Sequence, residues 1–265
     1  MVEKISILAG QDKTANPEAI KMLEVDAGEI LAVVGPTGSG KTQLISDIEQ
    51  YAAGETPSRR HVLIDGRAAG DGDAQLSVRR LVAEVSQNMN FVIDMSVEEF
   101  LLMHAQIRDI ENPERVIKQV IKVTNELAGE PISSLDNITV LSGGQSRALM
   151  VADVALISNA PVVLIDEVEN AGINRLQAMS FLAGQGKVVI VVTHDPMLSL
   201  MADRRVVMKN GGMVNLQKTT TEEKTVLKQL IEVDKKISVL RDTIRQGGTI
   251  NPNRNIDEKT LLEEV

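Results

Sequence analysis

The chain has 265 residues, no cysteine and a formal net charge of −9. Disulfides, thiolate metal sites and cysteine nucleophiles are therefore excluded, and the acidic balance disfavours a general nucleic-acid binder, which would carry a basic face. With three Phe, one Tyr and no Trp, the core must be filled by aliphatic side chains and Met, and platforms for stacking bases are scarce.

Two short half-exposed strands, KISILAG and IKMLEVDAGE, open the chain and are expected at an antiparallel edge. Apolar, β-rich runs follow at 30–34, 62–64, 81–86, 162–165 and 188–193. Most are continuous rather than alternating, the pattern of strands buried on both faces. Helical patterns separate most of them, so βαβ units and a mainly parallel sheet are expected. The fold class expected is α/β, with an antiparallel β edge, a helical insertion and a C-terminal helix.

The strand at 30–34 runs into GPTGSGKT, which fits G-x-x-x-x-G-K-[ST] with Gly35, Gly40, Lys41 and Thr42 at the fixed positions. Glycines let backbone N–H groups wrap phosphates, Lys41 supplies charge to them, and Thr42 offers a hydroxyl to Mg²⁺. The helical pattern TQLISDIEQYAAG follows directly. The sequence therefore predicts a P-loop NTPase, with Gly35, Pro36, Thr37, Gly38, Ser39, Gly40, Lys41, Thr42 and Gln43 as nucleotide-binding residues.

Between 95 and 141 the texture becomes helical. SVEEFLLMHAQI carries a Ser cap with Glu98 and Glu99 in its first turn, and NPERVIKQVIKVTNELAG starts at Asn-Pro and ends at Gly129. His61 and His104 are expected to be structural or surface residues. In VLSGGQSRALM, Ser142, Gly143 and Gly144 open a helix and make a second anion cradle from backbone N–H groups. VVLIDE is a buried strand that ends in two carboxylates, where open α/β sheets place ligands. Asp166 is suited to orient a Mg²⁺ shell and Glu167 to polarise an attacking water. Beyond 215, Val226, Leu230, Val233, Ile237, Leu240 and Ile244 recur at spacings of four and three, a heptad seam on a helix of about 25 residues. Thr220 and Glu223 are placed to form a capping box at its start. That seam must pack on its own domain, on its twin or on a partner.

The order of these elements along the chain resembles the ATP-binding cassette (ABC) ATPase family: phosphate loop, Gln87 after a strand, LSGGQ, VVLIDE, and His194 after VVIVVT. The resemblance covers about residues 1–215, the expected ATPase domain, with a helical subdomain at about 95–141; residues 216–265 form the expected helical extension. It implies ATP and Mg²⁺ as cofactors, held in part by Thr42, Gln87 and Asp166. It implies Gln87 as the lid glutamine, Glu167 as general base and His194 as the γ-phosphate sensor. Ser142, Gly143, Gly144 and Gln145 would then reach an ATP held by a second copy in a head-to-tail homodimer. The function it implies is ATP hydrolysis that drives a partner, either as the nucleotide-binding subunit of a transporter beside a membrane permease or as a soluble ATPase that remodels a protein complex. No nucleic-acid partner is expected. No run approaches the roughly 18 apolar residues of a membrane span, so a cytoplasmic location is expected, peripheral to a membrane through a partner.

Three departures from the family pattern stand out. No aromatic residue precedes Tyr51, so the segment at about 10–16, GQDKTAN, lacks the ring that stacks on adenine, and the Lys13 stem is a candidate replacement. VENAGIN follows Glu167 where the family carries a Pro-Thr-Ser-Ala-Leu-Asp-like loop. Asp153 stands where a basic residue is usual.

Overall fold

A computed structural model describes residues 2–68, 81–86, 91–166 and 173–250. The chain forms two compact units, one ending at Thr219 and one beginning at Thr220.

The first unit holds two sheets. β1 (Lys4–Leu8), β2 (Met22–Asp26) and β4 (His61–Ile64) form an antiparallel sheet in the order β2-β1-β4. β3 (Ile30–Val34), β5 (Val82–Ser86), β6 (Val162–Asp166), β7 (Val188–Val192), β8 (Arg204–Lys209) and β9 (Gly212–Lys218) form the second, in the order β5-β6-β7-β3-β8-β9. Every pairing in it is parallel except β8 with β9.

The strand at 62–64, grouped by its sequence with the parallel set, belongs instead to the antiparallel sheet, where Val62 pairs with Ile7 and Ile64 with Ile5. Its run is too short to show a period; in the fold His61 and Leu63 point away from the core while Val62 and Ile64 are buried. The apolar runs do not announce the hairpin of β8 and β9, yet the sequence carries a signal for it. Asn210-Gly211 joins the two strands, and both residues have positive φ, 50° and 88°, as a type I′ hairpin turn requires.

The parallel strands are continuous in sequence because each feeds two cores. Ala32, Val163, Ile165, Val189 and Val191 pack toward the helices on one face. Leu31, Val33, Val162, Leu164, Val188, Ile190 and Val192 pack toward β1, β2, β4 and α1 (Lys41–Glu49) on the other.

The helical stretch contributes α2 (Val97–Ile107) and α3 (Pro113–Leu127), which pack against each other and, through α3, against α4 (Gly143–Leu156). Ser96 and Glu99 make a reciprocal capping box at the start of α2. Asp153 finds its reason here. Its carboxylate lies 3.1 Å from Nδ1 of His104 on α2, whose ring sits 4.2 Å from that of Phe100. α5 (Arg175–Gly184) and α6 (Pro196–Met201) complete the unit.

The second unit is α7 (Thr221–Arg245) and the short stretch after it. Thr220 Oγ1 accepts the Glu223 N–H at 3.3 Å, and the Glu223 carboxylate accepts the Thr220 N–H at 3.0 Å. No residue of α7 is buried; Val226, Val233, Ile237 and Ile244 are all exposed. Among the described residues no helix is long and apolar enough to cross a membrane.

Candidate nucleotide-binding site

Strand register gathers the site before any side chain is considered. Val192 of β7 pairs with Val33 of β3 on one side and with Asp166 of β6 on the other. Asp166 in turn pairs with Ser86 of β5. These residues form one row at the carboxyl ends of four adjacent parallel strands, where open α/β sheets bind ligands. The phosphate loop leaves the row from β3 and His194 leaves it from β7. Gln87 and Glu167, the next residues after Ser86 and Asp166, lie outside the described residues, as do residues 168–172 of the VENAGIN segment.

The loop at 35–42 has the conformation its glycines permit. Gly40 caps α1 in the left-handed region, φ 100°, and a Cβ there would stand 2.6 Å from Gly211 Cα. A Cβ on Gly35 would meet the Met208 carbonyl oxygen at 2.4 Å. Side chains are thus excluded twice, by backbone angle and by the β8–β9 hairpin beneath. Pro36, Thr37 and Gly38 are exposed, and Ser39 is buried.

Lys41 is buried, and its Nζ donates to the Gly35 and Pro36 carbonyls at 2.9 and 3.3 Å. Ser39 Oγ is buried without a hydrogen-bond partner among the described residues. A fixed cation and an unpartnered hydroxyl inside a glycine cradle, at a helix N-terminus, fit a polyphosphate. Thr42 is exposed at the start of α1, where its hydroxyl suits a divalent cation such as Mg²⁺, with Asp166 half-buried at the end of β6.

His194 is exposed between two pinned neighbours. The Asp195 N–H donates to Thr193 Oγ1 at 2.9 Å, and the Asp195 carboxylate caps α6 and holds Arg175 at 2.7 Å. The second anion cradle is a helix start. Ser142 Oγ accepts the Gln145 N–H at 3.3 Å, Gln145 Oε1 accepts the Ser142 N–H at 2.9 Å, and Gln145 Nε2 donates to the Pro131 carbonyl. Gly143 and Gly144 occupy the first turn of α4, where N–H groups have no intrahelical acceptor. Ser142 and Gly143 are exposed.

The loop at 10–16 lies against the phosphate loop. Lys13 Nζ donates to the Gly38 carbonyl at 2.8 Å, and the Lys13 N–H to the Asn210 carbonyl at 2.8 Å. Asp12 shapes this loop by accepting the N–H groups of Asn16 and Thr14 and the Thr14 hydroxyl. Those bonds, the Asn16 N–H foremost, lower its pKa to about 2. The segment that lacks an aromatic ring thus presents a lysine to the phosphate loop instead. Apart from Lys13, what the sequence did not single out is the set that supports this region: Glu18, Asp47 and Arg60.

The fold and the loop define a P-loop nucleotide-binding protein. The sequence pattern of the ABC transporter family matches residues 21–170. An uncharacterized ABC transporter ATP-binding protein of Methanocaldococcus jannaschii is 52% identical over 246 residues, 93% of this chain and 94% of that one. The chain belongs to the ABC transporter family. A Ralstonia nicotianae ATP-dependent lipid A-core flippase is 32% identical over 222 residues, but those cover only 36% of its length, so this chain corresponds to about a third of that protein. Among solved structures, a component of an ABC transporter complex from Clostridium perfringens shares the fold with a TM-score of 0.63 at 21% identity, covering 88% of this chain and 94% of that one. A dimeric ATP-binding cassette in a post-hydrolysis state with ADP and Pi does so with a TM-score of 0.62 at 23% identity, covering 82% of this chain and 99% of that one.

Proposed function

We propose that the chain binds Mg-ATP in a head-to-tail homodimer, hydrolyses it, and passes the resulting movement to a membrane permease as the nucleotide-binding subunit of a transporter. The observation that carries this reading is the row Ser86–Asp166–Val192–Val33, which brings β3 with its phosphate loop, β6 with Asp166 and β7 with its histidine to one end of the sheet. Lys41 and Thr42 hold phosphate and Mg²⁺, Asp166 and Gln87 complete the metal shell, Glu167 polarises water and His194 senses the terminal phosphate. The exposed turn at Ser142 and Gly143 supports a role for a second copy, since it offers donors outward from the chain that carries it. A structure that shares this fold is a dimer with ADP and Pi bound, which is in keeping with a dimer here.

Three exposed apolar residues on two bonded segments support a permease contact. The stretch at 91–95 meets 134–140 through the Ile138 N–H to the Met95 carbonyl at 3.0 Å, and through Asn137 Nδ2 to Asp94 Oδ1. Flanking those bonds, Val92 is 90% exposed, Leu135 80% and Val140 75%. Large exposed apolar side chains on two bonded segments, one of which runs into the Ser142 turn, suit a contact with a partner. Tagged protein purified from native cells is expected to retain a membrane-embedded partner. Val92→Asp with Leu135→Asp should reduce the retained partner at least about tenfold, since each buried aliphatic contributes about 1.5–3 kcal/mol. A soluble partner complex, held equally by the double variant, would support instead the reading as an ATPase that remodels proteins.

The seam on α7 favours that second reading to the extent that it binds something other than a permease. A seam of six aliphatic residues on one helix, four of them exposed and Leu230 and Leu240 half-buried, should self-associate or hold a partner without ATP. β9 runs to Lys218, beyond the Asn215 at which the sequence texture changes, and Thr219 is tied to Ala202 and Asp203. Truncation after Thr219 therefore spares the sheet. It should abolish ATP-independent oligomers or partner capture, read by light scattering and pull-down, while ATP-dependent dimers survive. A full-length chain that stays monomeric without ATP and captures nothing rules this out.

A further inference from the structure

The most deeply buried charges form one network outside the phosphate loop. Arg60 and Asp47 have no exposure and Glu18 only 2%. Arg60 Nε and Nη2 donate to Glu18 Oε2 and Oε1 at 3.1 and 2.7 Å, Nη1 donates to Asp47 Oδ2 at 2.8 Å, and Nη2 also reaches the Gly211 carbonyl at 2.7 Å. Burial opposes the charge on the guanidinium, but Glu18 and Asp47 outweigh it and hold the pKa above its ordinary value. A planar fork matches this set of acceptors and an ammonium does not.

Each acceptor leads to the phosphate loop. Asp47 lies on α1, and its other oxygen accepts from Gln43 Nε2 at 2.9 Å, one residue past Thr42. The Gly211 N–H donates to the Ser39 carbonyl at 2.8 Å, and the Gly211 backbone is the surface against which Gly40 packs. Glu18 accepts the N–H groups of Gly10 and Met213 at 2.9 and 2.5 Å. It thereby anchors the start of the loop whose Lys13 bonds the Gly38 carbonyl. Ser39, Gly40 and Gln43 are thus each supported by a group that Arg60 holds directly, and Gly38 by the loop that Glu18 anchors at Gly10.

We propose that Arg60 is the positioning residue of the phosphate loop: from behind, its fork sets the spacing between α1, the β8–β9 turn and the Lys13 loop, and so the shape of the cradle that takes the phosphates. This rests on the reading of residues 35–42 as a phosphate site. Stability by itself does not account for the network, because buried ionic clusters are often replaceable by apolar groups of equal volume at no loss. Apolar groups cannot reproduce bonds to three separate segments.

The test compares wild type with Arg60→Lys, which keeps the charge and loses the fork. Dissociation constants for Mg-ATP and for inorganic tripolyphosphate are measured well below each protein's Tm. Arg60→Lys should weaken both ligands at least about tenfold, because both are held by the same cradle. Leu127→Ala, a core change in α3 that lowers Tm, should leave both constants within about twofold. Arg60→Lys that folds and binds both ligands within about twofold of wild type overturns the proposal, and so does a loss confined to ATP, which would put the role of Arg60 at the base. If Arg60→Lys does not fold, Glu18→Gln and Asp47→Asn each remove one arm. Weakening of both ligands by at least about threefold supports the proposal and unchanged binding refutes it. A Lys41→Ala variant that binds tripolyphosphate like wild type would instead sink the phosphate-site reading, whatever Arg60 does.

Discussion

Lys41→Ala should lose ATP binding by at least about 30-fold in titration calorimetry, while the protein stays folded. Removing one partner of a buried, hydrogen-bonded charge pair costs about 2–5 kcal/mol, and Lys41 is the one buried cation whose nitrogen lies inside the loop, against the Gly35 and Pro36 carbonyls. The loss should fall on binding rather than on the fold. Lys41 makes no ion pair among the described residues, and the glycines of the cradle also pack on the Met208 and Gly211 backbone, which the substitution leaves in place. Equal ATP affinity in the variant and the wild type would mean that the loop is a turn and not a phosphate site. Circular dichroism on the same samples separates that result from misfolding.

Glu167→Gln should lower kcat by about 10²–10⁴, the usual span for removing a general base, and leave ATP affinity near that of wild type. ATP that is bound but not cleaved should then hold two chains together, so light scattering is expected to report a dimer with Mg-ATP and a monomer or the tail-mediated state without it. Adding Ser142→Arg should remove the ATP-dependent dimer. Ser142 is exposed at the start of α4, so an arginine there can point into solvent and the main cost is the lost cap, about 1 kcal/mol. In the sandwich the same arginine would stand where the second chain's phosphates approach. If Glu167→Gln stays in its nucleotide-free state of association at saturating Mg-ATP, or if the double variant dimerises equally well, the sandwich does not form in the isolated protein. The unusual VENAGIN segment is then the first place to look.

Much of this site was legible because its chemistry is local. GPTGSGKT, LSGGQ and VVLIDE each place their donors, charges or acids within a few residues of one strand end or helix start, and the capping boxes at Ser96, Ser142 and Thr220 repeat that economy. The β8–β9 hairpin was legible in principle, through Asn210-Gly211, but its apolar runs resemble the tail of a parallel strand. β4 was legible as a strand but its sheet was not, because four residues are too few to show which faces are buried.

The sequence by itself determined the family, the α/β class and the place of the glycine-rich loop at the end of β3. The loop rests on residues a few positions apart, and the family and class rest on the order of such short motifs and apolar runs along the chain. Only the tertiary structure decided the strand order that puts β7 between β3 and β6, the pairing of His104 with Asp153 over 49 positions, and the meeting of Arg60 with Glu18 over 42. Contacts of that range leave no period in the sequence. They are chosen by which buried surfaces close together, and a charge such as Arg60 is tolerated inside only because closure delivers enough acceptors to replace water.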